Sequence, residues 1–92
     1  KVYISYMLEN IWGGRVVRVW VSEDGKIVEV GEERIEFERF IEIYGDWRRA
    51  RSEYLCYVWN KVARHAGGLE ADRVVEEIRD KIPPSLEECY VK

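Results

Sequence analysis

Apolar and polar residues alternate along the first third of the chain with the period of a β-strand. Residues 1–9 read KVYISYMLE. One face of this strand carries Val2, Ile4, Tyr6 and Leu8, and the other face carries Tyr3, Ser5 and Met7. A glycine turn at 13–14 leads into a second strand over residues 15–22. One face of it carries Val17, Val19 and Val21, and the other face carries Val16, Arg18 and Trp20. The Asp24-Gly25 pair predicts a hairpin, because a tight turn needs positive φ at its centre, and residues 26–30 form the returning strand. These signals predict a three-stranded antiparallel meander.

The next segment, residues 34–44, fits two periods. Ile35, Phe37, Ile41 and Ile43 follow a strand period that breaks at Arg39, whereas a helical stripe would contain Phe37, Phe40, Ile41 and Tyr44. The pattern predicts a fourth strand over about 33–38 and leaves 39–44 open between strand and helix.

Two helices follow. Asp46 is a good N-cap, and Gly67-Gly68 ends the first helix after Ala66. Its apolar stripe is Trp47, Tyr54, Leu55, Val58, Val62 and Ala66. The second helix, over about 70–82, should bury Ala71, Val74, Val75, Ile78 and Ile82, and it ends at Pro83-Pro84. A capping box at 85–88, SLEE, predicts one last helical turn.

The fold class that these patterns predict is α+β. A three- to four-stranded antiparallel meander is followed by two helices packed on one face and by a short C-terminal helical turn. Ninety-two residues leave no room for a second core, so we expect a single α+β domain over residues 1–92.

Composition adds an expectation about the source of the protein. The chain is 47% hydrophobic and 36% charged, and it contains neither Gln nor Thr. Few thermolabile amides and many ion-pairing residues are typical of hyperthermophiles, and we expect an archaeal source. No long apolar run and no leader-like start are seen, so the sequence predicts no membrane association and a cytoplasmic location.

Residue types that carry chemistry are sparse. The two cysteines, Cys56 and Cys89, and the single His65 do not have the spacing of a zinc site, so we expect no metal and no cofactor. The cysteines are interpreted as small buried hydrophobes, with a disulfide between them as the alternative. His65 suits the negative end of a helix dipole. No catalytic motif is present, and the sequence predicts a protein that is not an enzyme.

Three arginines, Arg48, Arg49 and Arg51, crowd the start of the first helix, where the dipole disfavours cations. Ion pairs with strand glutamates are one explanation, and for Arg51 the expected partners are Glu36 or Glu38. The other explanation is a site for an anion or nucleic acid, formed by Arg48, Arg49, Tyr57, Lys61 and Arg64. Both explanations stay open.

The second candidate surface is the sheet face that two helices on one side leave uncovered. It would carry Tyr3, Met7, Val16, Arg18 and Trp20, with Trp12 in the adjoining turn. Tyr, Trp, Met and Arg are enriched at interfaces, so we expect a homodimer through this open face. Stacking of single-stranded bases, or a register that puts these residues inside, are the alternatives.

The function expected from the sequence is therefore a small non-catalytic binding or assembly domain. Association with nucleic acid through the basic start of the 47–66 helix is one form, and a protein–protein scaffold without nucleic acid is the alternative. A small enzyme whose site is completed by a second chain ranks third.

Overall fold

The computed structural model describes residues 4–10 and 15–84, with side chains from Val19 onward. Four strands form one antiparallel sheet in the order β1-β2-β3-β4: β1 Ile4–Asn10, β2 Arg15–Val21, β3 Ile27–Val30 and β4 Glu33–Glu36. Three helices follow, α1 Phe37–Tyr44, α2 Trp47–Ala66 and α3 Gly68–Lys81. The predicted α+β class and the meander are confirmed. The predicted strand residues 1–3, the glycine turn at 13–14 and the capping box at 85–88 lie outside the described residues.

The undecided segment is a helix, so the described chain has three helices where two were expected. The strand β4 ends at Glu36, two residues earlier than predicted, and α1 begins at once. Phe37 is buried, and Phe40 and Ile41 pack against the core, whereas Ile43 is 72% exposed. Only the helical stripe gives that distribution, because the strand pattern would have buried Ile43 beside Ile41.

The hairpin between β2 and β3 lies where the Asp24-Gly25 pair predicted it, but its loop is longer than a two-residue turn. Ser22 and Ile27 close the loop through a backbone hydrogen bond of 2.9 Å, which leaves four residues between them. Gly25 has a φ of 76°, and Asp24 has no positive φ. A two-residue type I′ turn needs positive φ at both centres, so this loop takes a different geometry.

The core lies between one face of the sheet, which we call the inner face, and the helices. The inner face consists of Val19, Val21, Val28, Val30 and Ile35, all at most 3% exposed. The helix α2 packs on β1, β2 and β3, and α3 and α1 both pack against α2. Every residue that the sequence assigned to the apolar face of the second predicted helix is buried, and Tyr54, Val58 and Val62 of α2 are fully buried.

Two details of α2 correct the sequence prediction. Asp46 is the N-cap residue, and its backbone carbonyl accepts the first helical hydrogen bond from Ala50 at 2.8 Å, but its carboxylate makes no capping bond. Cys56 is exposed rather than buried. At about 100° per residue it lies roughly 150° from the centre of the apolar stripe, and that position outweighs the general preference of cysteine for burial. The disulfide alternative involves Cys89, which lies outside the described residues.

Candidate interaction surfaces

The two arginines at the start of α2 point to solvent. Arg48 and Arg49 are both exposed, and within the described part of the chain neither forms an ion pair. The guanidinium of Arg49 lies 5.2 Å from the ring centre of Tyr44, at the end of α1. A cation over an exposed ring gains about 0.5–1 kcal/mol, which partly offsets the unfavourable helix dipole. Neither arginine therefore has the predicted ion pair with any strand glutamate whose side chain the structure describes.

Arg51 has a different partner from the one expected. Its Nε donates to the carbonyl of Ile82 at 2.8 Å and its Nη2 to the carbonyl of Arg79 at 3.1 Å. The last carbonyls of a helix have no intrahelical donor and carry partial negative charge, so a guanidinium is a favourable cap for α3. The predicted contact of Arg51 with Glu36 or Glu38 is wrong, because the end of α3 meets α2 at this point. Trp47 adds a second tie, donating its indole N–H to the carbonyl of Pro83 at 2.7 Å.

Two other members of the predicted anion site are engaged by a carboxylate of the sheet. Glu33, at the edge of β4, accepts a short hydrogen bond from the hydroxyl of Tyr57 and pairs with Lys61 Nζ at 3.0 Å. The hydrogen bond from Tyr57, followed by that from Lys61, lowers the pKa of Glu33. The same bond raises the pKa of Tyr57. These contacts fasten α2 to the β4 edge and neutralise one of the five residues proposed to hold an anion.

Arg64 completes the predicted set, in the last turn of α2. It is exposed, and it lies fifteen residues from Arg49, which is about 22 Å along a helix. The structure thus divides the five residues into an exposed pair at the helix start, a carboxylate-bound pair at its middle and a distant arginine at its end. They do not form one compact site, although a long polymer could contact both ends.

The other face of the sheet, which we call the outer face, is defined by the strand register. Met7 pairs with Arg18, Ser5 with Trp20, and Glu9 with Val16, and the row of Trp20 continues through Glu29 to Arg34. These positions alternate with the buried valines, so Met7, Arg18 and Trp20 share one face as the sequence predicted. Trp20 is half-buried. Tyr3 and Trp12 lie outside the described residues.

The outer face has two chemically different halves. On β3 and β4, Arg34 lies 3.6 Å from Glu29 and 3.2 Å from Glu36, and Arg39 lies 3.8 Å from Glu36. These partly exposed charges form a self-neutralised ladder. On β1 and β2, the register assigns Met7, Val16 and Trp20 to this face, together with Ser5 and the two charged residues Glu9 and Arg18. No described helix packs on either half, since the described helices form one core with the inner face.

Sequence reasoning missed a buried tie between α2 and the hairpin. Tyr54 is fully buried, and its hydroxyl donates to the carbonyl of Gly25 at 2.7 Å. Burial raises the pKa of Tyr54 and keeps its hydroxyl protonated as a donor. Asp24 shapes the loop below: it accepts from the Ser22 hydroxyl at 2.7 Å and from the Lys26 N–H at 3.0 Å. These hydrogen bonds of Tyr54 and Asp24 hold the hairpin loop in place, and their role is structural.

A shallow groove runs along α3 beside the end of α2. It is lined by Trp59, Leu69, Glu70, Asp72, Arg73 and Val75, among others. Trp59 donates its indole N–H to Asp72 at 2.8 Å, and Arg73 pairs with Glu70 at 3.6 Å. The polar groups of the groove largely satisfy one another, so it shows no converging set of free donors that would select a small ligand.

The described residues contain neither a cluster that could hold a metal ion nor a helix that could span a membrane. Among residues 4–10 and 15–84, no three His, Cys, Asp or Glu side chains are grouped so that they could hold a metal ion. In the same part of the chain, none of the helices has the length and apolarity needed to cross a membrane. Comparison of the chain with family models, with curated proteins and with solved structures gave no match.

Proposed function

We propose that this chain is a non-catalytic assembly domain that associates with a second copy of itself on the β1–β2 side of its sheet. The observation that carries the proposal is the strand register, which brings Met7, Arg18 and Trp20 together opposite the buried valines. These are residue types enriched at protein interfaces. On the β3–β4 half of the same face, the charged side chains already pair with one another. The β1–β2 half is therefore the better candidate for the contact with a second copy.

Small size supports this proposal. A chain of 92 residues buries a limited share of its surface, and an interface adds buried apolar area without a longer chain. The contacts of α2 also favour a protein partner over nucleic acid. Lys61 and Tyr57 were needed for a continuous cationic stripe, and both are engaged by Glu33.

The test is the mass of the protein in solution. Light scattering at high micromolar concentration should show a dimer for the wild type, and Met7→Glu should shift it to monomer because the new carboxylates of the two copies would meet in the contact. The matched control is Ile43→Glu, which places the same charge at an apolar position of α1 that is 72% exposed. Circular dichroism verifies that both variants stay folded. A monomeric wild type, or equal dissociation of the two variants, contradicts the proposal.

A second candidate function is binding of a polyanion such as single-stranded DNA. It is favoured by Arg48 and Arg49, which are exposed and form no ion pair with any acidic residue of the described part of the chain. Replacing both by Glu should abolish binding, and each lost phosphate contact lowers the salt slope by about 0.7. The helix dipole favours the change by a few tenths to about 1 kcal/mol, and the lost contact of Arg49 with Tyr44 costs about 0.5–1 kcal/mol, so thermal stability should change little.

The control for this second candidate is the double variant Arg39→Glu and Arg73→Glu, which changes the net charge equally on α1 and α3. If both double variants bind the polyanion alike, the start of α2 is not the site. If the wild type does not bind at low salt, this candidate is excluded.

A further inference from the structure

The two edges of the sheet are protected to very different degrees. The strand β4 is four residues long, and three of them are charged: Glu33, Arg34 and Glu36. Glu33 is also tied to Tyr57 and Lys61 of α2, and α1 begins directly after the strand. Short length, charge and a covering helix are the features by which proteins prevent a sheet edge from pairing with another chain. The β4 edge is thus protected by its short length, by its charge and by the contacts of Glu33 with α2.

The opposite edge, β1, lacks the short length and the dense charge of β4. Its seven residues, ISYMLEN, all pair with β2 on one side. They include no Pro, no Gly, no Lys and one charged residue, Glu9. In the described part of the chain no strand pairs with its other side. A long edge strand of this composition is a template for a further strand, and natural sequences rarely leave one without a partner.

We propose that the partner is a second β1, paired antiparallel about a twofold axis at Met7, so that two sheets join into one of eight strands. The inference rests on the proposed self-association and specifies its geometry. An antiparallel pair places opposite residues on the same face of the sheet. Pairing about Met7 matches Ile4 with Asn10 and Tyr6 with Leu8 of the second copy. All four positions share one face of the strand, on which Ile4 and Tyr6 pair with the buried Val21 and Val19.

The same register also suits the charges. Glu9 meets Ser5 of the second copy instead of its own equivalent, so the only carboxylate of the strand opposes a neutral hydroxyl residue. A second copy thus fits its own edge over all seven residues with matched faces and no like-charge pair. The outer-face positions of the two copies, with Met7 at the centre and Arg18 beside it, become one continuous surface.

Cysteine cross-linking tests the register, in a background where Cys56→Ser and Cys89→Ser remove the native thiols. Across the axis the two Met7 Cα atoms would be about 4.5–5.5 Å apart. Disulfides span Cα separations of about 4.4–6.8 Å, so Met7→Cys should convert the protein almost completely to a covalent dimer under mild oxidation.

Two further variants make the test specific. The two copies of residue 5 would be roughly 14 Å apart, because four residues of strand rise separate them, so Ser5→Cys alone should not cross-link. Mixed with Glu9→Cys it should give a heterodimer, since those positions face each other. Trp20→Cys should not cross-link, because two copies of β1 lie between the two copies of β2.

The outcomes separate this inference from the function on which it rests. Cross-linking of Met7→Cys and of the mixed pair, without cross-linking of the single Ser5→Cys, supports the edge pairing. A dimer by light scattering that cross-links through Trp20→Cys, or through none of these variants, overturns the edge pairing and leaves the assembly function standing. A monomer at high concentration overturns both. Circular dichroism of each reduced variant shows that a negative result does not come from unfolding.

Discussion

The hydrogen bond from Tyr54 to the hairpin gives the sharpest test of how the described fold is held together. In Tyr54→Phe the ring keeps its contacts with Phe37 and Phe40, at centroid distances of 5.2 Å and 5.5 Å, so packing is conserved. The change deletes one donor and leaves the carbonyl of Gly25 without this partner in a buried position. Leaving a buried group unsatisfied costs about 1–3 kcal/mol.

A loss of that size is easily measured. For a domain of this length each kcal/mol shifts the midpoint by about 4–8 °C, so we expect Tyr54→Phe to lower Tm by roughly 4–24 °C. The matched control is Tyr57→Phe, which removes the same hydroxyl from the same helix where its bond to Glu33 is exposed. Exposed interactions of this kind contribute about 0–1 kcal/mol. Thermal unfolding followed by circular dichroism compares the two, and equal shifts would refute the argument from burial.

Three further changes probe other contacts. Arg51→Met removes two hydrogen bonds to the end of α3 and should cost about 1.5–3 kcal/mol in chemical denaturation, with Arg51→Lys recovering only part because it lacks the planar fork. The depressed pKa of Glu33 means that its stabilisation is complete above its ordinary pKa of about 4.5 and is lost as the pH falls through the lower folded value. Glu33→Gln should therefore flatten the fall in stability between neutral and acidic pH. Gly25→Ala should destabilise more than Gly31→Ala: both glycines have positive φ, but only at Gly25 would the new Cβ meet a side chain, that of Lys81 at 3.0 Å.

The parts of the fold that the sequence predicted are those that depend on local periodicity. The alternation of residues 15–22 placed Val19 and Val21 inside and Trp20 outside, and the structure has that arrangement. The helices α2 and α3 were predicted with their buried faces because a single period fits each of them. For α1 both periods fit over eight residues, and the decision came from the packing of Phe37 and Phe40 on the tyrosines of α2.

The candidate site was harder to predict because its contacts are distant along the chain. Arg51 caps carbonyls that lie 28 and 31 residues away along the chain. No local sequence pattern predicts that the end of α3 lies next to Arg51. Glu33 and Tyr57 are 24 residues apart in the sequence and form a hydrogen bond. The position of Tyr57 on its helix does not reveal this contact, so the sequence predicted Tyr57 to be available to a ligand. Cys56 is different. The helical period of α2 alone predicts that Cys56 lies on the exposed side of the helix, and this prediction is more accurate than the general preference of cysteine for burial.

The engagement of Glu33 links the two candidate surfaces. By holding Tyr57 and Lys61 it removes the middle of the cationic stripe on α2, and it also closes the β4 edge of the sheet. The same carboxylate therefore weakens the argument for a nucleic-acid surface and confines strand addition to the opposite edge. If Glu33→Ala made the protein bind a polyanion more tightly and also form larger assemblies, both consequences would follow from the loss of one contact. A change in only one of these properties would show that the two surfaces are independent.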